Sequence, residues 1–156
     1  MPRRYPLTPL SRLRAQQVAD SAAVRRDQDA KTERAKGDTA RAQLATRAHV
    51  DAVAKTNDNE TARLEHGELR AADLVRHGAW AHVAARTTTT LKKAEGAQRL
   101  EQHRAEAALD EATRDLATRK READVVAKHA ERWSRAEASR SEEAQATEIE
   151  DRWRPR

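Results

Sequence analysis

Residues Leu109–Trp133 read LDEATRDLATRKREADVVAKHAERW, and the spacing of their apolar side chains decides the fold. Leu109, Ala112, Leu116, Arg119, Ala123, Val126, Ala130 and Trp133 follow one another at alternating steps of three and four. Seven of these eight are apolar, against 37% for the whole chain. That alternation keeps one stripe of a helix facing a neighbouring helix, which is the a/d pattern of a coiled coil. Alanine fills much of the stripe, so the partner helix can come close while gaining little from each contact.

Composition agrees with this reading beyond the stretch itself. Alanine, leucine, glutamate, lysine and arginine supply 90 of the 156 residues, the mixture found in long helices. Only 25 large apolar residues remain once alanine is set aside, with no phenylalanine. A fully buried large side chain contributes about 1.5–3 kcal/mol, so this chain lacks the means for an ordinary globular core. It equally lacks the apolar lining of a water-excluding catalytic pocket, and no run approaches the ~20 apolar residues of a membrane span. Leucine, isoleucine and valine total 20, a level that often accompanies disorder. Disorder also wants high net charge, whereas 31 basic and 26 acidic residues nearly cancel to +5. The fold class expected is all-α, a long antiparallel two-helix coiled-coil hairpin.

Prolines mark its limits. Pro2, Pro6, Pro9 and Pro155 are the only four, leaving 145 residues between Pro9 and Pro155 uninterrupted. Proline costs about 3 kcal/mol inside a helix, so one helical region, 9–153, lies between an N-terminal extension (1–8) and a tail (154–156). Thr8 is the expected cap, with Pro9 in the first turn where its missing N–H does no harm. Within that region the turn has three candidates. Gly67, in His66-Gly67-Glu68-Leu69-Arg70, is suited to the left-handed conformation that ends a helix; Gly78 and the β-branched run Thr87–Thr90 are the rivals. A turn at about 66–71 gives arms of about 9–65 and 72–153, about 85 and 120 Å long at about 1.5 Å per residue, a thin rod. In the first arm Leu13, Val24 and Ala35, then Ala42, Val53 and Leu64, repeat at eleven residues. Together with Leu10, this suggests a nearly straight stripe.

Charge is unevenly placed. Six arginines stand against Asp20 through Arg26, while six acids stand against four arginines from Glu137 onward. Antiparallel arms bring this basic start near the acidic finish, either as solvated faces in mild attraction or as a patterned tip that docks in a charged partner. A nucleic-acid reader would need a basic stripe with stacking aromatics; here arginines alternate with acids, and no nucleic-acid partner is expected. Catalytic constellations are missing as well. The six histidines never fall four apart, so no metal pair is expected. Asp110-Glu111 and Glu142-Glu143 are adjacent on a helix and point apart, and no Gly-rich phosphate loop occurs. No cofactor, metal or enzymatic activity is expected. Without cysteine there is no disulfide or thiolate site, which fits a reducing compartment. Met1–Leu10 has no apolar signal-peptide core, so a cytoplasmic location without membrane insertion is the default. Trp80, with Val83, Ala84 and Thr87 on its face, either packs in the seam or anchors a partner. Trp133 fits the seam register and reads as structural.

The opening Tyr5-Pro6-Leu7-Thr8-Pro9-Leu10-Ser11-Arg12-Leu13-Arg14 resembles the start of type III secretion proteins of the YscO and FliJ type. Gly67-Glu68-Leu69-Arg70-Ala71-Ala72-Asp73-Leu74 is similar to that family's turn and second-helix start, and Glu150-Asp151-Arg152-Trp153 to its acid-rich end. The likeness extends over the length of the chain. Departures are the Thr87–Thr90 run, Gly37 and Gly96 within the arms, and the high alanine content. The resemblance implies a non-enzymatic two-helix stalk, placed in the cytoplasm at the inner face of the secretion apparatus. Its partners would be the hexameric secretion ATPase, whose assembly and activity it promotes, the export gate protein, and secretion chaperones. Carried over to matching positions, Leu7, Leu10, Leu13, Arg14, Glu143, Ile149 and Trp153 form the ATPase-contacting end, and Trp80, Val83, Ala84 and Thr87 the gate-contacting patch. A generic coiled-coil scaffold or dimerisation protein is the alternative that needs no such partners. The seam itself is open to test: Leu116→Asp, by placing a charge in the stripe, is expected to destabilise the fold by about 2–4 kcal/mol in denaturant unfolding.

Overall fold

The computed structural model describes residues 5–153, apart from the side chains at 150–152. The tail, 154–156, and residues 1–4 of the N-terminal extension lie outside the described residues. Two helices account for nearly all of the described chain: α1 (Thr8–Glu65) and α2 (Ala71–Trp153). They pack together, and among the described residues no strand accompanies them, so the fold is an all-α helical hairpin. None of the described helices is long and apolar enough to cross a membrane.

The ends of the helices follow from local chemistry. At the start of α1, the Leu7 carbonyl accepts from the Ser11 amide at 3.0 Å. The Thr8 hydroxyl does not accept from the first turn, as a cap would. It donates back to the Tyr5 carbonyl at 2.6 Å, tying the preceding turn to the helix. At the other end, Gly67 has φ 67°, the one positive value among the described residues. The Gly67 amide donates to the Leu64 carbonyl and the Glu68 amide to the Arg63 carbonyl, both at 3.0 Å. This pair of bonds is a Schellman motif, which satisfies the last carbonyls of α1 and needs a left-handed residue where glycine stands. Three residues later α2 is capped in its turn. The Asp73 carboxylate accepts from the Arg70 amide at 3.0 Å, as the amide of Asp73 donates to the Arg70 carbonyl at 2.9 Å. An acid at this position also suits the positive end of the helix dipole. The other two turn candidates, Gly78 and Thr87–Thr90, lie within α2. Each threonine of the run donates its hydroxyl to the carbonyl four residues earlier, at 2.8–3.0 Å, so the β-branched stretch is satisfied without leaving the helix.

Packing divides into two units. One comprises Gln28–Leu109, which includes the turn. Thr32 is 1% exposed and Thr39 4%. The Thr32 hydroxyl lies 2.8 Å from the Gln28 carbonyl on its own helix and 3.1 Å from the Ala105 carbonyl on α2. Thr39 repeats the arrangement with Ala35 at 2.9 Å and Gln98 at 3.1 Å. Seven residues further, Thr46 is buried, and His49 Nε2 is 3.2 Å from the carbonyl of Ala84. A hydroxyl reaching the opposite backbone leaves no room for a larger side chain.

The other unit comprises the described residues up to Asp27 with those from Asp110 on. Ala112 and Val126 are buried in it, and Leu116, Arg119, Ala123, Ala130 and Trp133 are half-buried. The stripe read from sequence in the second arm is therefore the side of α2 that packs. Opposite it, Ser21 is buried and donates its hydroxyl to Asp115 at 2.6 Å.

In the first arm the expected stripe is corrected. Leu13, Val24 and Leu64 are each more than half exposed. The less exposed positions recur instead at steps of four and three: Arg14, Val18, Ser21, Arg25, Gln28, Thr32, Ala35, Thr39, Ala42, Thr46, His49, Val53, Thr56 and Glu60. An eleven-residue step drifts away from a heptad stripe, so of the expected positions Leu10, Ala35, Ala42 and Val53, where the two patterns cross, are on the less exposed side. In α2 a single longer step occurs. His77, Trp80, Ala84, Thr88 and Leu91 are spaced three, four, four and three, one residue more than the repeat allows, and this falls in the threonine run. Overpacking distinguishes the two faces of α1: Thr32→Leu is expected to lose about 1–3 kcal/mol. Leu44→Ala, at a position 68% exposed, should change stability by less than about 0.5 kcal/mol in the same thermal unfolding experiment.

Candidate functional site

The residues assigned to an ATPase-contacting end all belong to the unit that holds the chain's first and last described residues. Its construction begins with Tyr5. The Tyr5 hydroxyl is hydrogen-bonded to His129 Nδ1 at 2.8 Å, and its ring lies 5.7 Å from that of His129 and 5.6 Å from Trp133. The start of the chain is thus clamped onto α2 between residues 129 and 133, and Trp133 has the structural role read from its register. Sequence reasoning used Tyr5 only as part of a motif; its value as a clamp depends on a pairing across 124 residues.

Arg14 is bonded across the helix pair. Its guanidinium donates to Glu122 at 2.5 Å and to Gln17 at 2.8 Å. Glu122 also meets Arg119 at 3.5 Å, and Arg119 meets Asp115 at 3.4 Å. Arg14 thus takes part in a polar lattice between the helices, with its side chain 28% exposed. Arg119, the one non-apolar residue in the α2 stripe, is a node of that lattice. Leu10 is half-buried, whereas Leu7 and Leu13 are exposed, at 39% and 53%.

Glu143, Ile149 and Trp153 stand apart from this group. Every residue of α2 from 138 to 149 is exposed; Ile149 is 58% and Trp153 83% exposed. Trp153 follows Trp133 by 20 residues, about 30 Å of helix at about 1.5 Å per residue. The seven residues therefore form two groups: one where α1 begins, beside residues 122–133, and one on the last turns of α2.

The expected gate-contacting patch also divides. Ala84 is 5% exposed, packed where His49 approaches its carbonyl, and has no surface to offer. Trp80 is half-buried and lies in the same stripe as His77 and Ala84; its ring is 5.4 Å from that of His77. It borders an open cleft of about 310 Å³ lined also by Thr56, Glu60, Arg63, Asp73, Arg76 and His77. The charges there are paired, Arg63 with Glu60 at 3.1 Å and Arg76 with Asp73 at 3.2 Å. Val83, 62% exposed, and Thr87 point outward. Val83 and Thr87, four apart, share one outer face, while Trp80 and Ala84 share the packed one.

The Glu106 carboxyl is held below its usual value, first by the Gln102 hydrogen bond and then, against some desolvation, by His103 and Lys36. Lys36 is raised by its bond to Glu33. Among the described residues no three His, Asp or Glu side chains gather closely enough to hold a metal ion. Comparison with family models, with curated proteins and with solved structures finds no match to the chain. A double-mutant cycle on Arg14→Ala and Glu122→Ala measures the inter-helix lattice. Both side chains are about one-third exposed, so a coupling of about 0.5–1 kcal/mol is expected, and none if Arg14 instead serves an outside partner.

Proposed function

We propose that this chain is a non-enzymatic central-stalk component of a type III secretion system. It works in the cytoplasm, linking the hexameric secretion ATPase to the export gate and promoting ATPase assembly, ATP turnover and export. The observation that carries the reading is the exposed end of α2, where Ile149 and Trp153 are left uncovered on a helix whose earlier turns are packed. Large exposed aromatic and aliphatic side chains are the usual anchors of a protein interface. The likeness of the Tyr5–Arg14 segment to YscO and FliJ proteins supports the same assignment. So does a seam too poor in large apolar groups to enclose a substrate.

In this reading the exposed members of the two residue sets do the work. Leu7, Leu13, Glu143, Ile149 and Trp153 engage the ATPase, while Leu10 and Arg14 hold the helices that present them. Val83 and Thr87 face the gate protein, with Trp80 and Ala84 as their packed support. Secretion chaperones are the third class of partner. Nothing in the proposed role calls for a cofactor, because the chain would transmit contact and orientation and leave bond chemistry to the ATPase.

Mixing the purified chain with its cognate ATPase is expected to raise the hexamer fraction and ATP turnover by at least about twofold. The double variant Ile149→Ala, Trp153→Ala should lose most of that gain, with circular dichroism unchanged because neither side chain is packed. Failure to co-purify or to alter turnover would leave a coiled-coil scaffold as the better description.

A further inference from the structure

The absence of acids along one stretch of α2 is a charge pattern that neither the packing nor the stalk reading uses. No aspartate or glutamate occurs from Leu74 to Ala94, while Arg76, Arg86, Lys92 and Lys93 do. Most cations of this chain have an acid three or four residues away on the helix, and several make ion pairs there, such as Lys36 with Glu33 and Arg99 with Glu95. Arg86 and Lys93 have none at those positions, and neither makes an ion pair among the described residues. His82, Arg86, Thr89 and Lys93 are spaced four, three and four, all exposed. That spacing puts them on one face of the helix. Ala84, Thr88 and Leu91, each two residues on from a member of the row, lie on the packed face behind it.

The surface between the cations is shaped as well as charged. His82, Ala85, Arg86, Thr89 and Thr90 line an open groove of about 320 Å³. The two threonine hydroxyls are bonded to carbonyls of their own helix. Gly78 and Gly96 bound the row at either end, 18 residues or about five turns apart on the same face. A Cβ at either glycine would meet nothing within 4 Å. Glycine weakens a helix relative to alanine, and here the chain's own packing supplies no reason for it.

We infer that this outer face of α2, built on Arg86 and Lys93 with His82 and Thr89 between Gly78 and Gly96, docks an acidic helix of a partner protein. Carboxylates four and seven residues apart on such a helix match the spacing of the cations. The two glycines let its backbone approach where any side chain would hold it away. Nucleic acid fits less well. Two fixed cations in about 16 Å of helix are sparse against a duplex that carries a charge every ~1.7 Å. The nearest tryptophan, Trp80, is half-buried beside His77, which leaves no large aromatic platform for stacking. This inference is independent of the stalk assignment, since it names a face and a chemistry that hold whatever the exposed end of α2 contacts.

The test uses the full chain and an alanine-based helical peptide of about 20 residues, long enough to hold a helix, with glutamates at spacings of four, three and four. A matched peptide carries glutamines instead. At low salt the glutamate peptide should bind at least about fivefold more tightly than the glutamine one, and its advantage should fade as ionic strength rises. Arg86→Glu with Lys93→Glu should abolish that preference, with circular dichroism unchanged, and a lysine version of the peptide should then bind the double variant better than the wild-type chain. Equal binding of glutamate and glutamine peptides, or no response to the charge reversal, would overturn the proposal. Tighter, Arg86- and Lys93-dependent binding of a single-stranded oligonucleotide would overturn it in favour of a phosphate ligand. Self-association in sedimentation that disappears with the same substitutions would overturn it in favour of a second copy.

Discussion

Thr32 and Thr39 each place one hydroxyl hydrogen between a carbonyl of their own helix and a carbonyl of the other. This bonding makes the sparse apolar composition workable. A seam built of leucine holds helices apart by the bulk of its knobs and gains transfer energy for each. Here the gain per residue is small, and close approach takes its place: short side chains let many backbone and Cβ atoms meet, each contact weak and the sum substantial. A buried hydroxyl without a partner would cost about 1–3 kcal/mol, so the arrangement holds only because both donor geometry and register are satisfied. Serine and threonine supply four of the seven buried residues among those described. The fold rests on register more than on oil.

That dependence explains which parts of the architecture were legible in the sequence. Gly67 pointed to the turn, against two rivals, because a left-handed residue is a backbone requirement that few side chains meet; the Arg70–Asp73 bonds that start α2 had not been read from sequence. The Leu109–Trp133 stripe was legible because it contains enough Leu, Val and Trp to stand out from an alanine background. The stripe of α1 was not. Apolar periodicity cannot see Arg14, Ser21, Gln28, Thr32, Thr39, Thr46 and Glu60, which carry the heptad in polar residues. Several aliphatics of that arm, Leu13, Val24, Leu44 and Leu64, are on the outside, while Leu10, Val18 and Val53 are half-buried. The eleven-residue spacing that links Leu13 to Val24 and Val53 to Leu64 was regular and led off the packed face. A search for threonine at seven-residue intervals finds 32, 39 and 46 at once, which was the available signal.

The candidate site shows the same division. Ile149 and Trp153, on the uncovered end of α2, are exposed. Elsewhere a neighbour in space is decisive. Arg14 belongs with Glu122 across 108 residues, and Ala84 is covered because His49 comes to it. Trp80 kept both of its readings in part, packed on one side and bordering a cleft on the other. Spacing alone placed Val83 and Ala84 together beside it. Adjacent residues on a helix point about 100° apart, though, and only one of the two can join Trp80 in the packed stripe.

Polar seams carry a consequence for how such a helix pair can serve as an interaction surface. When packing is done by Thr, Ala, Gln and His, large apolar residues are released from the interior, and charged rows on the outer face become the main means of telling one partner from another. Charge complementarity sets orientation and rate of encounter more than strength, so contacts of this kind are selective and reversible. Uncovered aromatic and aliphatic side chains such as Trp153 and Ile149 act differently, through desolvation at a few points. On the two proposals made above, the chain would keep a firm partner at one position of α2 and exchange weaker partners at the other. The acid-free row at Arg86 and Lys93 is the more economical of the two, because it asks nothing of the seam behind it beyond holding Ala84, Thr88 and Leu91 in place.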